Sequence, residues 1–255
     1  MSDLFGIEGA HVLVTGGSSG LGRFFATFLA QRGARVTVAA RRAEALAKTV
    51  DDISAAKGQA QSVVMDVTNA ASIESALDAA EARFGPVEIV INNAGVTATR
   101  PALQQDEADW DKVIDTNLKG VWLVAQAVGR RMVAHEVKGS IVNVASILGL
   151  RVASSVAPYA ISKAGVVQMT KALALEWARY GIRVNALAPG YFETELNDDF
   201  FQQPAGLALI KRIPQRRLGE LRELEGPLLL LASKAGSYMT GSVIVADGGH
   251  VVSTL

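Results

Sequence analysis

Short apolar, β-branched runs alternate with helical stretches along the whole chain, and that alternation limits the fold more than any other feature. Residues 11–15, 35–40, 61–65, 88–91, 140–145, 183–187 and 243–246 read as strands. Most are apolar at consecutive positions, the pattern of a strand covered on both faces. Residues 21–32, 43–57, 71–84, 106–134, 158–180 and 221–232 read as the helices between them. A strand, a helix and a further strand close as a right-handed βαβ crossover, and repeated crossovers build a parallel sheet. The expectation is a single α/β domain over residues 1–255, doubly wound, with a mostly or wholly parallel seven-stranded sheet and helices on both faces. At 255 residues the chain is long enough to bury a sizeable core. Residues 190–219 carry no strand pattern, and a long irregular stretch in a compact domain is usually a functional cover, here a substrate lid.

Composition excludes several classes of function. With 25 basic and 25 acidic side chains the net charge is zero, which gives no general attraction to nucleic acid or to an anionic membrane. The absence of cysteine rules out disulfides, thiolate metal sites and thiol nucleophiles, and fits a reducing, cytoplasmic setting. The N-terminus has no basic segment leading into an apolar run, so no signal peptide is expected. The longest strongly apolar run, residues 227–232, is far too short for a bilayer span. His11, His135 and His250 are scattered with no carboxylates at ligand spacing, so no catalytic metal is expected.

The first predicted strand runs into Thr15-Gly16-Gly17-Ser18-Ser19-Gly20-Leu21-Gly22 and then into a helix. Glycines let a backbone turn sharply and approach a pyrophosphate, whose charge then meets the helix N-terminus. The spacing is G-x-x-x-G-x-G rather than the commoner G-x-G-x-x-G. Read alone, it also fits a ligand-free turn or the glycine turn of a methyltransferase. Further strand ends add Ala40-Arg41-Arg42, Met65-Asp66-Val67 and Asn92-Asn93-Ala94-Gly95. A carboxylate such as Asp66 is suited to accept from an adenine amino group, and adjacent amides are suited to bridge neighbouring strands. All three segments fall at C-terminal strand ends, where open α/β sheets bind ligands.

Tyr159 and Lys163 stand at i and i+4 in "APYAISKAG" and so share a helix face. A phenol near pKa ~10 is a poor base at neutral pH, and a nearby ammonium favours its ionised form. The small residues Ala160 and Ser162 are expected to leave room for substrate, and Pro158 to fix the first helical turn. Alone, such a pair is an ordinary surface feature. Two other positions alter its meaning: Ser146 offers a hydroxyl at the tip of the fifth strand, and Asn117 interrupts a long helix where an amide has poor propensity.

Together these segments make the chain resemble the short-chain dehydrogenase/reductase family, in its 3-oxoacyl-carrier-protein-reductase-like branch, over nearly its whole length. The matching segments are Thr15–Gly22, Asp66, Asn92–Gly95, Asn117, Ser146, Tyr159 with Lys163, and Pro189-Gly190, with Tyr238–Gly241 and Asp247–Gly249 near the end. The resemblance implies a Rossmann-type fold and a ketone or aldehyde interconverted with an alcohol by hydride transfer from a nicotinamide cofactor. It implies Tyr159 as general acid/base, Ser146 holding the substrate oxygen, and Lys163 lowering the Tyr159 pKa and bonding a ribose. Asn117 would anchor a water linking Lys163 to solvent. The cofactor would lie on Gly16, Ser18, Ser19, Gly20, Leu21, Gly22, Arg41, Arg42, Asp66, Val67, Asn93, Ala94, Gly95, Tyr159, Lys163, Pro189, Gly190, Phe192 and Thr194. NADP(H) is expected over NAD(H), because Ala40 replaces a carboxylate that would repel a 2′-phosphate and Arg41 stands beside it.

On the substrate side, Ile147, Leu148, Tyr191, Phe192, Phe200, Phe201 and Leu207 favour a largely apolar carbonyl compound, with Arg100 and Arg151 as nearby cations. A 3-oxoacyl thioester is an alternative substrate. The positions where arginines would dock an acidic carrier hold Val137 and Tyr180, however, with Lys138 and Arg179 adjacent. A dinucleotide-binding regulator without chemistry is the alternative of another class, and it predicts a broken catalytic set. The predicted helix at 160–178 is apolar on almost every face, which leads to the expectation of a homo-oligomer, a tetramer with twofold interfaces.

Overall fold

The structure, a computed structural model, describes residues 3–193 and 201–252. Its centre is one seven-stranded sheet in the order β3-β2-β1-β4-β5-β6-β7, with every neighbouring pair parallel. The strands are β1 His11–Thr15, β2 Arg35–Ala40, β3 Gln59–Val64, β4 Ile89–Asn92, β5 Ser140–Val144, β6 Arg183–Pro189 and β7 Val243–Ala246. The wholly parallel, doubly wound sheet is the one the alternating pattern requires. β1, β4 and β5 are buried along their entire length. Their side chains alternate between two cores. Val12 and Val14 join Phe25, Leu29, Leu46 and Leu228 on one face. Leu13 joins Met65, Leu77, Val128 and Leu173 on the other. Each such side chain contributes about 1.5–3 kcal/mol when fully buried.

The helices covering the sheet are α1 Gly20–Gln31, α2 Ala43–Ala55, α3 Ala70–Phe84, α4 Glu107–Ile114, α5 Gly120–Ala134, α6 Ala157–Trp177, α7 Pro204–Ile210 and α8 Glu225–Ala232. Local chemistry sets several of their starts. Asn69 accepts from Ser72 N at 3.1 Å ahead of α3, and Asp106 accepts from Asp109 N at 2.8 Å ahead of α4. The single helix expected over 106–134 is two helices joined by a π-helical turn, Asp115–Lys119. Within 190–219, α7 forms a short helix, and Phe192 pairs with Gly219 so that the two ends of the segment meet. Winding leaves β1 and proceeds outward on both sides, through β2 and through β4. The crevice between the C-terminal ends of β1 and β4 is therefore open. Among the described residues, no helix is long and apolar enough to cross a membrane.

Candidate active site

A cleft of about 1240 Å³ lies at the C-terminal ends of the strands. It is lined by the glycine loop (Gly16, Ser18, Ser19, Gly20, Leu21, Gly22), by Ala40 at the end of β2 with Arg41 and Arg42 after it, and by Asp66 and Val67 after β3. Asn93, Ala94 and Gly95 after β4, Ser146 after β5, Tyr159 and Lys163 on α6, and Pro189, Gly190 and Phe192 complete the wall. Residues scattered through the sequence thus meet on one surface. Thr194 and Phe200 lie outside the described residues.

The loop after β1 is built for close approach. Gly16 has φ +67°, and a Cβ there would stand 2.9 Å from Ala94 Cα. A Cβ on Gly22 would collide with the Gly16 carbonyl oxygen. These bare backbones fit a pyrophosphate, which needs amides within reach and no side chain between. Thr15 locks the loop to β4: its Oγ1 accepts from Asn93 N and Ala94 N, both at 3.1 Å, while Asn93 Nδ2 donates to Thr15 O at 3.0 Å. Buried Thr49 on α2 donates to Gly17 O at 3.1 Å. Asp66 accepts at Oδ1 from Thr68 N and Thr68 Oγ1, at 2.9 and 2.8 Å. Those bonds, with help from the Arg41 charge, hold its carboxyl below the usual range, so it is an ionised acceptor.

Ser146 caps the turn Ile147–Gly149, its Oγ accepting from Leu148 N at 3.1 Å. Its side chain is also hydrogen-bonded to Tyr159. Lys163 is buried; its Nζ donates to Val144 O at 2.7 Å and sits 5.6 Å from the centre of the Tyr159 ring. Burial pushes the lysine down to about 8. Burial also raises the Tyr159 phenol above its ordinary value, against the opposing pull of the Ser146 bond. Tyr159 therefore stands protonated at neutral pH, in the form that can act as an acid.

Asn117 lies in the π-helical turn, buried behind the cleft wall. Its Oδ1 accepts from Val96 N at 2.8 Å, and its Nδ2 donates to Val96 O at 2.8 Å and to Ser162 Oγ at 3.2 Å. Both amide hydrogens are committed to protein partners. The side chain thus pins the loop after β4 to α6. Ser162 in turn donates to Tyr159 O at 2.7 Å and is fully buried, so it does not clear space for substrate as its small size implied. Thr15, Thr49 and Ser162 were not singled out as binding or catalytic residues. Each acts through a partner distant in sequence or through the backbone, and only the polar residue type hinted at it.

At the substrate end the lining is mixed. Ile147, Leu148, Ala153, Val156, Tyr191, Phe192, Phe201 and Leu209 alternate with Thr97, Thr99 and Ser154. Leu207 is half exposed and Leu209, on the inner side of α7, takes its place. Neither nearby arginine lines the cleft. Arg100 pairs with Asp109 at 2.9 Å, and Arg151 Nη1 donates to His250 O at 2.6 Å. Arg179 donates to Tyr180 Oη at 2.6 Å and stacks on its ring.

The sequence model of the short chain dehydrogenase family matches residues 10–205. A gluconate 5-dehydrogenase of Gluconobacter oxydans is 38% identical over 252 residues, covering 98% of each chain. A 3-oxoacyl-[acyl-carrier-protein] reductase of Thermotoga maritima is 39% identical over 246 residues, 96% of this chain and 99% of its own. Among solved structures, a gluconate 5-dehydrogenase of Burkholderia cenocepacia in complex with NADP and tartrate superposes with a TM-score of 0.94 at 38% identity, covering 99% of both chains.

Proposed function

This chain belongs to the short-chain dehydrogenase family, and from that premise we propose that it interconverts a ketone and a secondary alcohol of a sugar acid or similar polyhydroxy compound, with NADP(H) as cofactor. The observation that carries the proposal is the meeting of Ser146, Tyr159 and Lys163 at one end of a cleft whose other end is the glycine loop. The regulator without chemistry would lack this set.

A nicotinamide cofactor held along the glycine loop would supply or accept the hydride at the reacting carbon. The chain's own residues do the rest. The Ser146 hydroxyl holds the substrate oxygen, and Tyr159, kept protonated by burial, gives its proton to that oxygen in reduction and takes it back in oxidation. Lys163, its Nζ 5.6 Å from the centre of the Tyr159 ring, is placed to stabilise the phenolate left behind. The Thr15–Asn93 lock and the Asn117–Ser162 link keep these groups in register.

Two features support the cofactor and substrate class. Ala40 presents no charge at the end of β2, and Arg41 and Arg42 beside it line the cleft, where a 2′-phosphate would find a planar cation. Thr97, Thr99 and Ser154 offer hydroxyls that suit a polyhydroxy substrate better than the largely apolar one the sequence favours, and the gluconate dehydrogenases among the relatives agree with that class. The segment 190–219 would cover the substrate, the chain acting as a single catalytic domain. A homotetramer would use the exposed face of α6, where Ile161 and Leu175 are 49% and 83% exposed. The cysteine-free composition suits the cytoplasm.

The test is a panel of keto-sugar acids, polyols and a 3-oxoacyl thioester, followed by nicotinamide absorbance with each cofactor. The expected result is turnover of sugar acids with kcat/KM for NADPH at least about tenfold above NADH, or ~1.4 kcal/mol. Turnover of the thioester alone would move the assignment to acyl reduction, and a preference for NADH would contradict the cofactor reading.

A further inference from the structure

Residues 247–252 form a turn at the C-terminal side of β7 that touches three separate parts of the substrate end. Asp247 shapes the turn, Oδ1 accepting from Gly249 N at 2.8 Å and Oδ2 from Val251 N at 2.6 Å. Gly248 O accepts from Gln215 N at 3.2 Å, which ties the turn to the far end of segment 190–219. The His250 ring lies 5.5 Å from that of Tyr191, a residue of the cleft wall. Arg151 Nη1 donates to His250 O at 2.6 Å and to Val251 O at 3.4 Å. Arg151 is itself fixed to the turn that Ser146 caps, its N donating to Ile147 O at 2.8 Å.

We infer that Arg151 is a positioning residue for the substrate end: by clasping residues 247–252 against the turn after Ser146, it holds Ser146 and Tyr191 in the relative places that a substrate meets. The inference rests on the alcohol–ketone reading above. An exposed turn stays ordered only where something ties it down. Val252 is 82% exposed, so apolar burial does little of that work at the end of this turn. A guanidinium bonded to two main-chain carbonyls does it instead, with hydrogen bonds of the stronger, charge-assisted kind. Removing the guanidinium frees the turn, and with it the ring that backs Tyr191. An arginine beside a substrate pocket can alternatively serve as counter-ion to a substrate carboxylate. That role confines its effect to acidic substrates, whereas a clasp acts on all of them.

The test compares wild type, Arg151→Ala, Arg151→Lys, a chain ended after Gly249, and the combination of that truncation with Arg151→Ala. Arg151→Ala is expected to raise KM about tenfold, ~1.4 kcal/mol, for a keto-sugar acid and for an uncharged keto-polyol alike. NADPH affinity should stay at the wild-type level, and Arg151→Lys should recover part of the loss. The combined variant should be no worse than the poorer single one, because both remove the same tie. Amide exchange over residues 147–156 should quicken in Arg151→Ala, or in Arg151→Lys if the alanine variant does not fold. A loss confined to acidic substrates, losses that multiply in the combined variant, or unchanged exchange at 147–156 would each overturn the inference. A wild type without turnover on any polyhydroxy substrate would contradict the proposed function instead, and the exchange measurement would still decide this one.

Discussion

Ala40 is a small residue in a position of large consequence. A carboxylate at the end of β2 would attract a pair of ribose hydroxyls and repel a 2′-phosphate; a methyl group does neither, and leaves Arg41 and Arg42 to set the field. The double change Ala40→Asp with Arg41→Ala is expected to reverse the cofactor preference, measured as kcat/KM for NADPH against NADH. Lys163→Ala should damage both turnover and NADPH affinity, the latter followed by the fluorescence of the bound nicotinamide. At this scale the sequence was most informative where chemistry dictates residue type. Tyr159, Lys163 and Ser146 were legible because a strand tip and an i, i+4 helix pair bring them together. Ser162 was misread, since nothing in "APYAISKAG" says that its hydroxyl turns back to Tyr159 O and across to Asn117.

Among elements, the π-helical turn Asp115–Lys119 is the most unusual. Such turns are rare and concentrate at functional sites. Here the extra residue swings Asn117 inward to satisfy both the N–H and the carbonyl of Val96. Asn117→Ala leaves buried polar groups unpaired, at about 1–3 kcal/mol each. A lower thermal midpoint together with a lower kcat is the expected outcome; an unchanged melting curve would count against the structural role. The sequence marked this place by putting a poor helix former mid-helix. It did not reveal the change of helical period, because the apolar spacing on either side stays compatible with one long helix. Strand ends shifted for a similar reason: β6 runs on through Ala188 to Pro189 because it pairs with β7 there, a partner more than fifty residues away.

For the molecule as a whole, doubly wound topology was the most legible feature, since seven strands, most of them apolar at consecutive positions, separated by helices leave few other arrangements. One contribution to behaviour in acid was not legible, because it comes from a buried side chain whose partners are distant in sequence. His11 Nδ1 faces Gly85 O at 2.7 Å, an acceptor, so Nδ1 carries the hydrogen and Nε2 accepts from Thr37 Oγ1 at 2.8 Å. Burial, offset in part by the Gly85 bond, keeps the His11 pKa below its ordinary value. The unfolded chain therefore binds the extra proton more readily. The neutral histidine's contribution is present above pH ~6.5 and is lost as pH falls toward the folded pKa, by up to about 1.4 kcal/mol per pH unit. Urea unfolding at stepped pH should show that slope in the wild type and a flatter one in His11→Asn. Light scattering should find an assembly larger than a monomer at micromolar concentration, reduced by Leu175→Glu on the exposed face of α6.

The whole cleft exists, on this account, to bring one phenol to one substrate oxygen. The measurement that meets this most directly is kcat for a keto-sugar acid with NADPH in the wild type and in Tyr159→Phe, with NADPH affinity taken in parallel. Deleting the transferable proton should cost about 10²–10⁴-fold in kcat and leave nucleotide binding almost unchanged. A Tyr159→Phe enzyme keeping more than about a tenth of wild-type kcat, well short of what acid–base catalysis supplies, would contradict it.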